Sequence, residues 1–304
     1  MLVPCASWRL SSTRLKMETV GKSKLRTFLS DGWTEKDVSN TRIRNDQGCD
    51  VASFPSLVHR VASLTFHNRD QVLLFRGQKT DYRNSKDNTS IQPSLFRGRS
   101  TQSADDWRQT LASRYDSLAW AEALLVRKWK EAGLAELQRV ERYRNLRWTI
   151  LQHYEVCPTP LLDVTQSLRV AASFALANAE DDEAYLYVLG VPQISGAITV
   201  CADAELQILR LASVCPPTAT RPHFQEGYLL GNYPDLQTVN EKQRYGLFEV
   251  DFARRLICKF RLVEHAGFWK AGFEPVPENA LFPRTKDPLI EIASSIKQAL
   301  GPVN

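Results

Sequence analysis

Helical apolar periodicity dominates the first part of this chain and strand-like runs dominate from about residue 184 to 263, and that change restricts its fold more than any other feature. Residues 54–66 carry Phe54, Leu57, Val58, Val61 and Leu64 at helical spacing. Residues 105–131 repeat the pattern with Trp107, Leu111, Tyr115, Leu118, Leu125 and Trp129, and Gly133 separates them from a second helical stretch at 134–154. Together they read as a helical hairpin over 105–155. Each proline of Cys157-Pro158-Thr159-Pro160 disfavours helix in the residue before it, so the next segment is extended. A helix rich in small residues (Ala171, Ala172, Ala175, Ala179) follows, shaped for close approach to a sheet. Short apolar runs then occur at 184–191, 197–201, 206–211, 224–230, 247–250 and 256–263, before an amphipathic helix at 287–300. Helices gathered ahead of strands predict an α+β fold, a helical N-terminal part packed on a mostly antiparallel, split β-sheet.

The 304 residues are 43% hydrophobic and 24% charged, which supports a substantial core and excludes a disordered or fibrous chain. The expected organisation is a partly disordered tail and lead-in over 1–45, one compact domain over 46–265, and a C-terminal cap with a helix over 266–304. Residues 1–16 read as a dangling extension before an alternative start at Met17. The six cysteines form no C-x-x-C pair, so they read as structural thiols of a cytoplasmic protein rather than a zinc or redox site. The longest uncharged stretch, 184–202, is interrupted by Gly190, Pro192 and Gly196 and reads as two strands, so no membrane partner is expected.

Net charge is +5, and it is uneven: residues 127–147 hold seven Lys or Arg against three acids. Such a helix is either a solvated face or a surface for a phosphate-bearing partner. Dinucleotide, Walker A, nucleophile-elbow and H-E-x-x-H motifs are missing, and the five histidines are dispersed, so no structural metal is expected. What remains is three polar interruptions beside apolar segments. Val72-Leu73-Leu74-Phe75 ends at Arg76-Gly77-Gln78, where a guanidinium offers a planar donor fork to a diphosphate or carboxylate. Glycine beside it lets a ligand approach the backbone. The second is Gln152-His153-Tyr154 leading into Asp163-Val164-Thr165, and the third is Phe224-Gln225-Glu226-Gly227.

Phe75-Arg76-Gly77-Gln78, Gln92-Pro93-Ser94-Leu95-Phe96-Arg97, Gln152-His153-Tyr154, Pro158-Thr159 with Leu161-Leu162-Asp163-x-Thr165, and Gln225-x-Gly227 occur in the order of the FRG domain, and the chain resembles that family over about 50–265. It departs from the family's pattern at Glu155 (usually glycine), Pro160 (usually arginine) and Val164 (usually tryptophan). A looser similarity is to ADP-ribosyltransferases of the Arg–Ser/Thr–Glu type. That similarity implies NAD as substrate and a macromolecular acceptor, protein or nucleic acid, in a toxin or phage-defence setting.

The same likeness implies a catalytic set of Arg76, Asp163, Thr165 and Gln225, and NAD contacts from Arg76, Gly77, Gln78, His153 and Tyr154. Gln225 and Glu226 on a strand point to opposite faces, and the likeness turns the neutral Gln225 inward. The structural alternatives are an Arg76–Asp163 ion pair tying the sheet, His153 as a helix-end capping and packing residue, Thr165 as a helix N-cap, and Gln225 satisfying buried backbone groups. A non-enzymatic nucleotide- or nucleic-acid-binding module is the alternative function, resting on Arg139, Arg142, Arg144 and Arg147 near Trp129, Tyr143 and Trp148.

Overall fold

The computed structural model describes residues 17–20, 24–98, 102–177, 184–216, 219–234, 238, 240, 250–270, 272–282 and 287–301. The tail 1–16 and all of the expected strand 247–250 except Val250 lie outside them. In chain order the elements are β1 (Leu25–Leu29), β2 (Gly32–Val38), α1 (Asn40–Asn45), β3 (Cys49–Val51), α2 (Phe54–His67), β4 (Val72–Gln78), α3 (Ala104–Glu131), α4 (Leu137–Arg142), α5 (Arg144–His153), β5 (Leu162–Thr165) and α6 (Leu168–Leu176). Then come β6 (Ala184–Val191), β7 (Ile198–Cys201), β8 (Leu206–Arg210), α7 (Leu211–Val214), α8 (Thr220–Phe224), β9 (Gly227–Asn232), β10 (Leu256–Leu262) and a C-terminal helix, Pro288–Leu300.

Among the described residues, eight strands form one sheet in the order β3-β10-β6-β4-β5-β9-β8-β7, antiparallel except where β10 lies beside β3. The α+β class and the mostly antiparallel sheet are as the sequence predicts. Every residue of β6 is buried, so its continuous apolar run is that of a strand covered on both faces. None of the described helices is long and apolar enough to cross a membrane.

β4 runs three residues further than its apolar run, because Arg76, Gly77 and Gln78 continue the ladder to β6 opposite Tyr187, Leu186 and Tyr185. Arg76, Tyr187 and Lys259 therefore share one face in a row across β4, β6 and β10. Lys259 Nζ, buried, donates to Asp81 Oδ2 at 2.7 Å and to Thr89 Oγ1 at 2.8 Å, and the Tyr187 hydroxyl donates to Asp81 Oδ1 at 3.0 Å. This network pins the turn-rich 79–90 segment on the sheet. On the opposite face Gly77 meets α6, whose small residues Ala171 and Ala175 let the helix close on β4.

Within the lead-in, β1 and β2 pair as an antiparallel hairpin, and the Asp46 carboxylate accepts from the Ser30 amide and hydroxyl, both at 2.9 Å. Two expectations are corrected. The second arm of the α3 hairpin is two helices, because Tyr143 takes an extended conformation between α4 and α5. Residues 224–226 are not strand: Phe224 ends α8, Gln225 and Glu226 form a turn, and β9 starts at Gly227. Glu226 closes that turn in the left-handed region, φ +45, so the opposite-face argument does not apply to Gln225 and Glu226.

Candidate functional site

β4 and β5 are registered at a single pair, Phe75 opposite Thr165. Beyond it a cavity of about 660 Å³ opens, lined by Arg76 and Gly77 of β4, Leu162 to Thr165 of β5, Gln152 and His153 of α5, and Gln225. The volume falls within the range of small-molecule and cofactor pockets, roughly 300–1,000 Å³. Arg76, Asp163, Thr165 and Gln225, widely separated in sequence, share this one hollow. Gln78 and Tyr154, expected beside them as ligand contacts, do not line it.

Arg76 is half-buried and bridges the split. Its Nη1 donates to the Asp163 backbone carbonyl at 2.7 Å and its Nε to Gln78 Oε1 at 3.4 Å, while Nη2 has no hydrogen bond to the described residues. The alternative of an Arg76–Asp163 ion pair is not what forms: the contact is to the carbonyl, which the ladder would otherwise leave open. Burial pulls the guanidinium below its ordinary pKa and the nearby Asp163 partly offsets this.

The Asp163 carboxylate accepts from Gln152 Nε2 at 2.5 Å, and Gln152 Oε1 accepts from the Thr159 hydroxyl. Thr159 is held in turn by Ser94, whose Oγ accepts from the Thr159 amide at 3.0 Å. Motif residues far apart in sequence thus form one chain of hydrogen bonds that fixes one acid. Burial raises the Asp163 pKa above the usual carboxylate value, against the lowering effects of Arg76 and Gln152.

Thr165 is not the N-cap of α6; that residue is Ser167, whose hydroxyl accepts from the Val170 amide. The Thr165 hydroxyl instead donates to the Gln225 carbonyl at 2.9 Å and accepts from the Ser167 amide at 3.0 Å. Gln225 is buried, and its Nε2 donates to the Leu281 carbonyl at 2.6 Å. It anchors the C-terminal segment, satisfying a backbone acceptor as one of the sequence readings held. Gly77 lines the cavity and also admits α6: a Cβ there would lie 1.9 Å from the Ala171 carbonyl oxygen. Gln78 is spent on the Thr80 carbonyl at 2.7 Å and the Tyr187 hydroxyl at 3.2 Å.

Tyr154 donates to Asp287, the N-cap of the C-terminal helix, at 2.5 Å; burial raises the phenol pKa, and this bond, which ties the start of that helix to the end of α5, adds to the rise. His153 lines the cavity, is 4% exposed, and its Nε2 is buried without a hydrogen-bond partner among the described residues. Burial, with Arg221 adding repulsion, lowers its pKa to about 3. The folded state therefore prefers the neutral ring. Its contribution to stability is fully present above the ordinary value of 6.5 and is lost as pH falls from 6.5 toward 3. We expect urea melts to show that loss and His153→Phe to reduce it; an unchanged slope in the variant would place the titration elsewhere.

The cavity also holds Arg97, Arg221 and Lys297, together with Glu155 and the rings of Phe174 and Phe282. With Arg76 that makes four cations against two acids, Asp163 and Glu155, so the electrostatics favour an anionic guest. Sequence reasoning missed Arg221, Lys297 and Glu155. Arg97 stood in a quoted motif, whereas Lys297 had no signal at all. The basic stretch 139–147 is largely neutralised internally: Arg144 and Arg147 both pair with Glu122, at 3.1 and 2.8 Å. Trp129 and Trp148 are buried and give no stacking surface for a nucleic-acid base.

The family model of the FRG domain matches residues 71–184. That span holds Arg76, the Gln152–Asp163 pair, Thr165 and α6, whereas Arg221, Gln225 and Lys297 come from outside it. No curated protein and no solved structure matches the chain.

Proposed function

From the premise that this chain is an FRG-domain protein, we propose that its cavity binds NAD as substrate and that the chain transfers ADP-ribose to a macromolecular acceptor. The observation that carries this reading is the convergence of Arg76 and Asp163 at the β4–β5 split, in a hollow of nucleotide size and positive lining. The free Nη2 of Arg76 supplies a charge-assisted donor to the diphosphate. Breaking the nicotinamide–ribose bond builds positive charge on the ribose, and the fixed carboxylate of Asp163 stabilises it. Thr165 positions the 225–226 turn, and Gln225 holds the wall formed by Leu281 and Phe282.

A second reading, nucleotide binding without turnover, is favoured by one observation. The third position of the expected triad is a neutral Gln225 whose amide is committed to Leu281. Nicotinamide release by chromatography, combined with NAD titration, separates the two. Under the transferase reading wild type releases nicotinamide, and Asp163→Asn loses about 100-fold or more of that rate while still binding NAD. Binding without any release supports the second reading, and no binding at millimolar NAD overturns both.

A further inference from the structure

We infer that Arg221 and Lys297 form a phosphate subsite where the cavity meets a side cavity, and that the Glu155 carboxylate stands in for the ligand's phosphate there. The inference rests on the nucleotide-binding reading and assigns the part of the cavity that the FRG motif does not reach.

The main cavity and a side cavity of about 330 Å³ share Glu155, Arg221, Phe282 and Lys297. These residues come from the end of α5, from α8, from the loop before the C-terminal helix and from that helix. The bond from Tyr154 to Asp287 ties the start of that helix, which also packs on α3, and the bond from Gln225 to Leu281 ties the loop that carries Phe282. Arg221 is oriented by the Phe282 ring, 5.3 Å from guanidinium carbon to centroid, and its side chain is only 15% exposed. Its Nε is buried without a hydrogen-bond partner among the described residues, and the exposed Lys297 lines both cavities beside it. A guanidinium this desolvated needs an anion, and the described residues offer one weak answer: Glu155 Oε1, 3.4 Å from Nη2.

Glu155 is a poor structural partner. Its backbone sits at φ +54, a region that side chains with a Cβ disfavour, and its carboxylate is 72% exposed. The contact is a single long one, where a phosphate oxygen pair would engage the planar fork twice. An incoming phosphate displaces Glu155 into solvent at little cost and takes over both Arg221 and Lys297.

The test is calorimetric titration of inorganic pyrophosphate and of ADP into the full chain. Glu155→Gln, which keeps the side-chain size and the backbone conformation, is expected to tighten pyrophosphate binding about threefold to tenfold. Lys297→Ala, on an exposed position, is expected to weaken it by a similar factor, and Arg221→Lys by more than about tenfold. Unchanged or weaker binding in Glu155→Gln, or no effect of Lys297→Ala, overturns the subsite. Both readouts are independent of NAD turnover. A chain that never cleaves NAD yet shows these shifts keeps the subsite, and one that cleaves NAD without them loses it.

Discussion

Gly77→Ala is expected to destabilise the protein by about 3 kcal/mol or more, or to leave it unable to fold. The added methyl would lie 1.9 Å from the Ala171 carbonyl oxygen and 2.7 Å from the Ala175 amide nitrogen. Both are backbone atoms of α6, so no side-chain rotation relieves the clash, and the helix must lift from β4. That displacement would also open the layer behind Phe75 and Thr165, the pair at which the split begins. Gly267→Ala is the control, since a methyl there meets nothing within 4 Å. Urea melts in which Gly77→Ala matches Gly267→Ala would show that α6 does not depend on close contact with β4.

Replacing Arg76 by Met is expected to weaken ADP and NAD binding about 10- to 100-fold, the worth of one or two charge-assisted contacts to phosphate. The stability effect is smaller and depends on pH in a diagnostic direction. Arg76 holds down an Asp163 pKa that burial raises, so its removal lets that pKa climb further. An acid whose folded pKa exceeds its unfolded value contributes stability below the unfolded pKa and loses it as pH rises through the folded one. The Arg76→Met penalty is therefore larger near pH 7 than near pH 4, where unfolded-state carboxylates are about half protonated. Arg76→Lys keeps the charge and loses the fork, so it is expected to recover the pH behaviour but only part of the affinity. Equal ADP affinity in wild type and Arg76→Met would remove Arg76 from the binding surface.

The sequence exposed the architecture where periodicity and punctuation agreed, as in the apolar run of β4, the break at Gly133 and the alanines of α6. It also brought Arg76, Asp163, Thr165 and Gln225 to one cavity, because ordered motifs carry spatial information that periodicity lacks. Their individual tasks were harder to read. Thr165 and Gln225 bond to backbone carbonyls, and Gln78 to a carbonyl and a hydroxyl, none of which leaves a trace in residue type.

The missed turn at 225–226 has a physical cause that recurs along the chain. Glu136, Glu155, Glu205, Glu226 and Glu264 all take positive φ, so these turns close without the glycine or asparagine that normally announces them. Phe224 to Leu230 consequently looked like one strand. Arg221 and Lys297 escaped notice for a related reason. Lys297 on an amphipathic helix looks like any solvated lysine, and it reaches the cavity because that helix packs on α3 and is tied at its start by the Tyr154–Asp287 bond.

The central claim is that the β4–β5 split grips an anionic nucleotide, and a crystal grown in millimolar NAD tests it most directly. The account predicts density for the diphosphate within hydrogen-bonding distance of the Arg76 guanidinium, inside the hollow that Asp163 and Arg221 also line. Density for NAD bound elsewhere on the molecule, or a cavity holding only ordered water while Arg76 keeps its contact to the Asp163 carbonyl, would contradict it.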